Sequence, residues 1–115
     1  MPRCQQAVQD AIVWLRAMEK NGTRFINIGP VSDNMPVESE WIANRPNTDV
    51  AMMLALAYVL HTEELAHLSF LDSHCVGYQR FSAYLTGETD GMAKTPQWAA
   101  EICGVEAGRI ALLAR

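Results

Sequence analysis

Arg45-Pro46-Asn47-Thr48-Asp49 is the densest run of chemistry-bearing residues in this 115-residue chain. It stands between Trp41 and an apolar run at 50–60 whose only polar tip is the hydroxyl of Tyr58. Pro46 disfavours helix at Arg45, so the chain enters this run extended. Asn47 or Thr48 is then placed to cap a helix, and Asp49 falls in its first turn, where a carboxylate suits the helix dipole. Helix N-termini favour anions such as phosphates. Asp49 has a second use. Guanine presents N1–H and an exocyclic amine side by side, and one carboxylate accepts both, leaving Arg45 or backbone amides to hold phosphate. The competing reading is that Asp49 does no more than start the helix.

Other reactive side chains lack the spacing their chemistry needs. His61, His67 and His74 are separated by six and seven residues, whereas two imidazoles share a helical face at a gap of four. They read as surface or helix-end histidines. Cys4, Cys75 and Cys103 are odd in number, widely spaced and without a CxxC pair, which points to free thiols in a reducing compartment. No Ser-His-Asp, GxSxG or P-loop pattern is present. Glu63-Glu64 and Glu38-Ser39-Glu40 read as solvated carboxylates. Asn21-Gly22-Thr23 matches a glycosylation sequon, taken as chance because no secretory signal opens the sequence. Catalytic and metal-ligating residues are therefore expected to be none.

The elements that must position the 45–49 run follow from patterning. Residues 5–20 place Ala7, Val8, Ala11, Ile12, Leu15 and Met18 at helical spacing, with Trp14 widening the apolar side and Asn21-Gly22 as the stop. Residues 24–28 read as a short strand ended by Gly29-Pro30. Helix, glycine turn and strand make the second half of a βαβ unit whose first strand is missing. A lone strand needs a partner from elsewhere. Residues 29–47 form a long connection, of a length that is often functional, with Val31, Met35, Val37 and Trp41 available to pin it. In open α/β folds ligands bind beyond the carboxyl ends of strands, which draws attention to this connection as well.

The 50–60 run has no polar face, so it is expected to be a central helix buried on nearly all sides, too short to span a bilayer. Beyond it the sequence predicts short helices: a turn from His61 with Leu65, Leu68, Phe70 and Leu71 supplying apolar contacts; 78–85 with Phe81, Tyr84 and Leu85 inward, closed by Thr86-Gly87; one opened by Pro96 and stopped by Gly104; and 105–115 with Ile110, Leu112, Leu113 and Ala114.

A length of 115 residues with half of them hydrophobic and a mean hydropathy of −0.02 suits one folded, soluble domain. The net charge of −4 gives no general attraction to nucleic acid or anionic membrane.

Two motifs carry a family resemblance. Trp-Ile-Ala-x-Arg-Pro-x-Thr-Asp-Val-Ala at 41–51 and Gly-Glu-x-Asp-Gly-x-x-Lys-Thr-Pro-x-Trp-Ala-Ala at 87–100 resemble an internal stretch of the DMSO reductase family of molybdenum enzymes. The resemblance is strongest to the biotin sulfoxide reductase and trimethylamine-N-oxide reductase branch, and it runs from about Val8 to the end. It implies a fragment, a single partial domain over 1–115, from the α/β domain that binds one half of a bis(molybdopterin guanine dinucleotide) molybdenum cofactor. By this resemblance Asp49 meets the guanine edge with Thr48, Asn47 and Arg45 close by, and residues 30–33, including Ser32 and Asp33, lie near the ribose and diphosphate. The family reduces S-oxides or N-oxides by oxygen-atom transfer at molybdenum. This chain departs from it at Gly29, where relatives commonly carry Asp or Asn, and in length, having no segment resembling the one with the molybdenum-ligating serine.

The expectation is a mostly helical α/β fragment, a partial Rossmann-like unit with one or two short strands followed by short helices. It contributes a guanosine-contacting loop to a cytoplasmic S- or N-oxide reductase and is inactive alone. Its expected partners are a second copy or the remaining domains of a split reductase, with neither nucleic acid nor membrane. The alternative is a non-catalytic helical interaction protein that binds no cofactor and dimerises or docks to a partner subunit.

Overall fold

The computed structural model describes residues 2–32 and 35–115, with side chains described from residue 10 onward in the first helix. The chain groups into two compact units, Met1–Ala43 and Asn44–Arg115. Among the described residues, six helices and one two-stranded sheet make a mostly helical α/β chain. Among the described residues no helix is long and apolar enough to cross a membrane.

The first unit holds helix α1 (Pro2–Lys20) and strands β1 (Ile26–Ile28) and β2 (Glu40–Ile42). Asn21-Gly22 ends α1 as the sequence predicts. Gly22 adopts φ +82°, its amide donates to Glu19 O, and Thr23 N–H reaches Met18 O, a pairing that a left-handed residue after the helix makes possible. The strand after it finds its partner in β2, in parallel register with Asn27 opposite Trp41. That second strand is the element the sequence concealed within its 29–47 connection. Trp41 Nε1 donates to Gly29 O at 2.9 Å, so the tryptophan pins the connection by a hydrogen bond while its ring stays partly exposed. Val37 is buried, whereas Val31 is exposed and pins nothing. The acidic run is not merely solvated: Glu40 pairs with Arg24, and Glu19 accepts from the Glu38 amide at 2.8 Å.

In the second unit, α2 (Asp49–Thr62) packs against α4 (Tyr78–Thr86), α5 (Pro96–Cys103) and α6 (Ala107–Ala114), with α3 (Leu68–His74) following α2. Ala51, Met52, Ala55 and Val59 form its buried face. Ala55, Ala99 and Cys103 are fully buried, and side chains this small let helix axes approach closely. The expectation of burial on nearly all sides fails here. Val50, Met53 and Leu60 recur along the opposite flank and are exposed, because the neighbouring helices cover one side of α2 only. Phe81, expected inward, is exposed for the same reason, as is Leu112 of the last helix: each short helix has one covered face.

The 87–95 loop is closed by a buried lysine. Lys94 is 2% exposed, its Nζ donating to Asp90 Oδ2 at 2.6 Å and to Met92 O. The ammonium also lies 4.2 Å from the Tyr84 ring centre and 5.5 Å from that of Trp98, within range of cation–π attraction. Gly87, at φ +85°, lets Met92 and Ala93 backbone atoms pass within 2.6–2.7 Å of where a Cβ would stand. Thr95 then caps α5 by accepting from Trp98 N–H at 3.1 Å, with Pro96 in the first turn.

Lys94→Ala should destabilise the fold by about 2–4 kcal/mol in urea denaturation, the range for truncating a large buried side chain. Lys94→Met, which keeps most of the volume, should cost less. Asp90 is held below its ordinary value of 3.8, first by the Lys94 hydrogen bond and then by the Met92 amide, and Glu63 is held below 4.5 first by its hydrogen bond to Arg115. Lowered carboxylate values mean stabilisation that is complete above the ordinary value and is lost as pH falls through the lower, folded one. Melting temperature should therefore drop below about pH 4, and Asp90→Asn should flatten that acid limb.

Candidate functional site

The 44–49 loop is built by tying its first half to the end of α5. Arg45 N–H donates to Cys103 O at 2.9 Å, and Arg45 Nη1 donates to Glu101 O and Ile102 O at 2.9 and 3.2 Å. A cation on the last carbonyls of a helix satisfies orphan acceptors and suits the negative end of its dipole. Gly104 makes room for this: at φ +76°, its absent Cβ would stand 3.2 Å from Arg45 Nε. The arginine proposed from sequence for phosphate thus has its guanidinium engaged in closing α5.

Past Pro46 the chain turns through Asn47, a non-glycine residue at φ +62°. Asparagine tolerates the left-handed region better than most residues. Thr48 occupies the cap position of α2, yet neither it nor Asn47 caps the helix with a side chain. The Thr48 hydroxyl turns back to Arg45 O at 2.6 Å instead, tightening the loop. The first turn of α2 therefore meets its surroundings without a side-chain cap, and Asp49 lies exposed in that turn. Asn44, buried to 4% exposure, donates from Nδ2 to Asp49 Oδ1 at 2.8 Å. Asn44 is the residue sequence reasoning passed over. A polar side chain between Ala43 and Arg45, in a stretch otherwise entering a core, was the available signal.

Of the other residues expected at a ligand, Ser32 is exposed and belongs to the first unit, and Asp33 lies outside the described residues. The loop brings together Arg45, Asn47, Thr48 and Asp49, with Asn44 added.

The histidines have local tasks. His61 Nδ1 meets the Tyr78 hydroxyl at 2.9 Å, His67 Nδ1 accepts from Phe70 N–H at the start of α3, and His74 stacks on Phe70 at 4.4 Å. Glu63, expected to be solvated, takes two bonds from Arg115, at 2.6 and 2.8 Å. Cys75 and Cys103 are free thiols, one exposed and one buried; the Cys4 side chain lies outside the described residues. Among the described residues no group of three or more His, Cys, Asp or Glu is arranged to hold a metal ion. Concavities among the described residues lie elsewhere. One of about 440 Å³ in the first unit is edged by Glu19, Arg24, Glu38 and Glu40, and one of about 250 Å³ in the second is lined by apolar groups such as Leu60, Phe70 and Phe81.

No family model matches the chain. It is 44% identical over 107 residues to a dimethyl sulfoxide/trimethylamine N-oxide reductase of Cereibacter sphaeroides, covering 91% of this chain and 13% of that one. It is also 43% identical to the dimethyl sulfoxide reductase DmsA of Escherichia coli K12, over 87% of this chain and 14% of the relative. The chain belongs to the DMSO reductase family. A trimethylamine-N-oxide reductase of Vibrio parahaemolyticus is 40% identical over 84% of this chain and 12% of its own length. This family member thus spans about one eighth to one seventh of the curated relatives it matches. In three dimensions it matches acetylene hydratase from Pelobacter acetylenicus with a TM-score of 0.75 and 27% identity, over 87% of this chain and 13% of the other. Family membership implies a molybdenum–pterin cofactor in the parent enzymes. Among the described residues the 44–49 loop presents an exposed carboxylate at a helix start without a side-chain cap.

Arg45→Ala should lower stability by about 1–3 kcal/mol, the worth of hydrogen bonds to a charged group. The loss should appear in hydrogen exchange as faster opening at the α5 C-terminus. Unchanged protection there would refute the clamp.

Proposed function

We propose that this chain supplies a guanosine-recognising loop of a molybdenum-dependent S-oxide or N-oxide reductase, with Asp49 as the acceptor for the guanine edge of molybdopterin guanine dinucleotide. The observation that carries this reading is the state of Asp49: exposed on the first turn of an uncapped helix, with one carboxylate oxygen tied to Asn44 and Oδ2 without a partner among the described residues. An ionised carboxylate only accepts hydrogen bonds, so it suits guanine, whose N1–H and amine both donate, and it repels the lone pair that adenine presents at N1. Backbone amides at the start of α2 add donors of the kind guanine O6 or a phosphate oxygen accepts. Arg45 enters as the residue that holds the loop in shape.

Oxygen-atom transfer is the chemistry the bound molybdenum cofactor supplies in this reading. The residues of this chain bind and orient one end of it and move no proton or electron themselves. The choice of oxide reduction rests on the named activities of the sequence relatives, since a hydratase shares the fold. The flank of α2 formed by Val50, Met53 and Leu60 favours a second reading, a non-catalytic chain that docks to a second copy or a partner subunit through its apolar surface.

A thermal-shift titration separates the two. GDP at a hundredfold excess over its dissociation constant should stabilise the chain by about 2.7 kcal/mol, as any ligand of the folded state does. ADP should leave it unchanged, and Asp49→Asn should abolish the response to GDP. Indifference to both nucleotides, together with a dimer by light scattering, would favour the docking reading.

A further inference from the structure

The two polar atoms of the Asn44 amide are in opposite circumstances. Nδ2 donates to Asp49 Oδ1 at 2.8 Å, while Oδ1 is buried and has no hydrogen-bond partner. Turning the amide over does not relieve this, because an ionised carboxylate offers only acceptors and would then face the carbonyl oxygen. A buried acceptor without a donor is destabilising, and an apolar side chain with the same branching would avoid the penalty altogether. The one bond this arrangement supports runs to an exposed aspartate. An exposed Asp side chain otherwise samples several rotamers, and a ligand that needs one of them must first select it.

We propose that Asn44 is a positioning residue that acts through Asp49. It fixes the carboxylate in one orientation so that Oδ2 and the remaining lone pair of Oδ1 form a ready acceptor for a ligand edge with two adjacent N–H donors. The inference rests on the reading of Asp49 given above and extends it to the origin of selectivity. Preference for a guanine over an adenine nucleotide depends on a buried residue that never touches the nucleotide. The fold retains an unsatisfied oxygen in exchange for that orientation.

The test is a set of GDP and ADP titrations on the full 115-residue chain, as wild type, Asn44→Leu and Asn44→Asp. Asn44→Leu should melt at or above the wild-type temperature, since the orphan acceptor is gone, yet bind GDP about tenfold more weakly, with ADP unaffected. Asn44→Asp keeps the shape and loses the donor, and should weaken GDP at least as much, which covers the case in which leucine packs poorly. A leucine variant with wild-type GDP affinity overturns the positioning role while leaving the nucleotide reading intact. Variants that lose stability and GDP binding in proportion show a structural role only and also overturn it. A wild-type chain that ignores GDP overturns the reading of Asp49, and this inference with it.

Discussion

The clamp between Arg45 and the C-terminus of α5 is the constraint on which the rest of the second unit depends. One residue donates through its backbone amide to Cys103 O and through its guanidinium to Glu101 O and Ile102 O. Three carbonyls that a helix end leaves open are thereby satisfied by a chain segment far away in sequence. The clamp sets where the 44–49 loop begins, the Thr48 hydroxyl closes the loop back onto Arg45 O, and α2 leaves from there into the core. Glycine at 104 is part of the same device, because a side chain there would strain the left-handed backbone and press on Arg45. The loop at the start of α2 is therefore held by hydrogen bonds from Arg45 and Thr48 before the helix begins.

Much of this was legible in the sequence, for reasons that differ by element. The end of α1 was readable because Asn21-Gly22 has a local cause, a residue able to take positive φ after the last apolar position. Thr95-Pro96 and Gly104 bracket α5 equally locally. Strand β2 was not readable: three residues between prolines carry no periodicity, and their strand character comes only from pairing with β1 across the intervening connection. The exposure of Val50, Met53 and Leu60 was also hidden, since a run apolar on every face states that burial is favourable without stating which face is covered. At the candidate site, Asp49 was visible as a carboxylate in a first turn. The engagement of Arg45 was not, because its partners are carbonyls at the far end of α5, and the role of Asn44 was not, because an asparagine beside a helix start does not announce that its amide is buried against the Asp49 carboxylate.

The second motif, at 87–100, turns out to be structural. Its lysine is buried under Tyr84 and Trp98 and holds the loop through Asp90 and Met92, and its Thr-Pro starts the helix whose far end receives Arg45. The two motifs that mark membership of the DMSO reductase family are thus mechanically linked: one builds α5 and the other leans on its C-terminus. The sequence similarity that carries both motifs spans 12–14% of the relatives' length.

A start of α2 preformed as an acceptor for a guanine edge would respond to a guanine nucleotide and not to an adenine one. Residue-resolved NMR of the chain titrated with GDP reads it most directly. GDP should shift only the amides of Thr48, Asp49, Val50 and Ala51 and the side-chain amide of Asn44, and ADP should shift none of them. Shifts centred instead on the apolar groove at Leu60, Phe70 and Phe81, or identical responses to the two nucleotides, would contradict it.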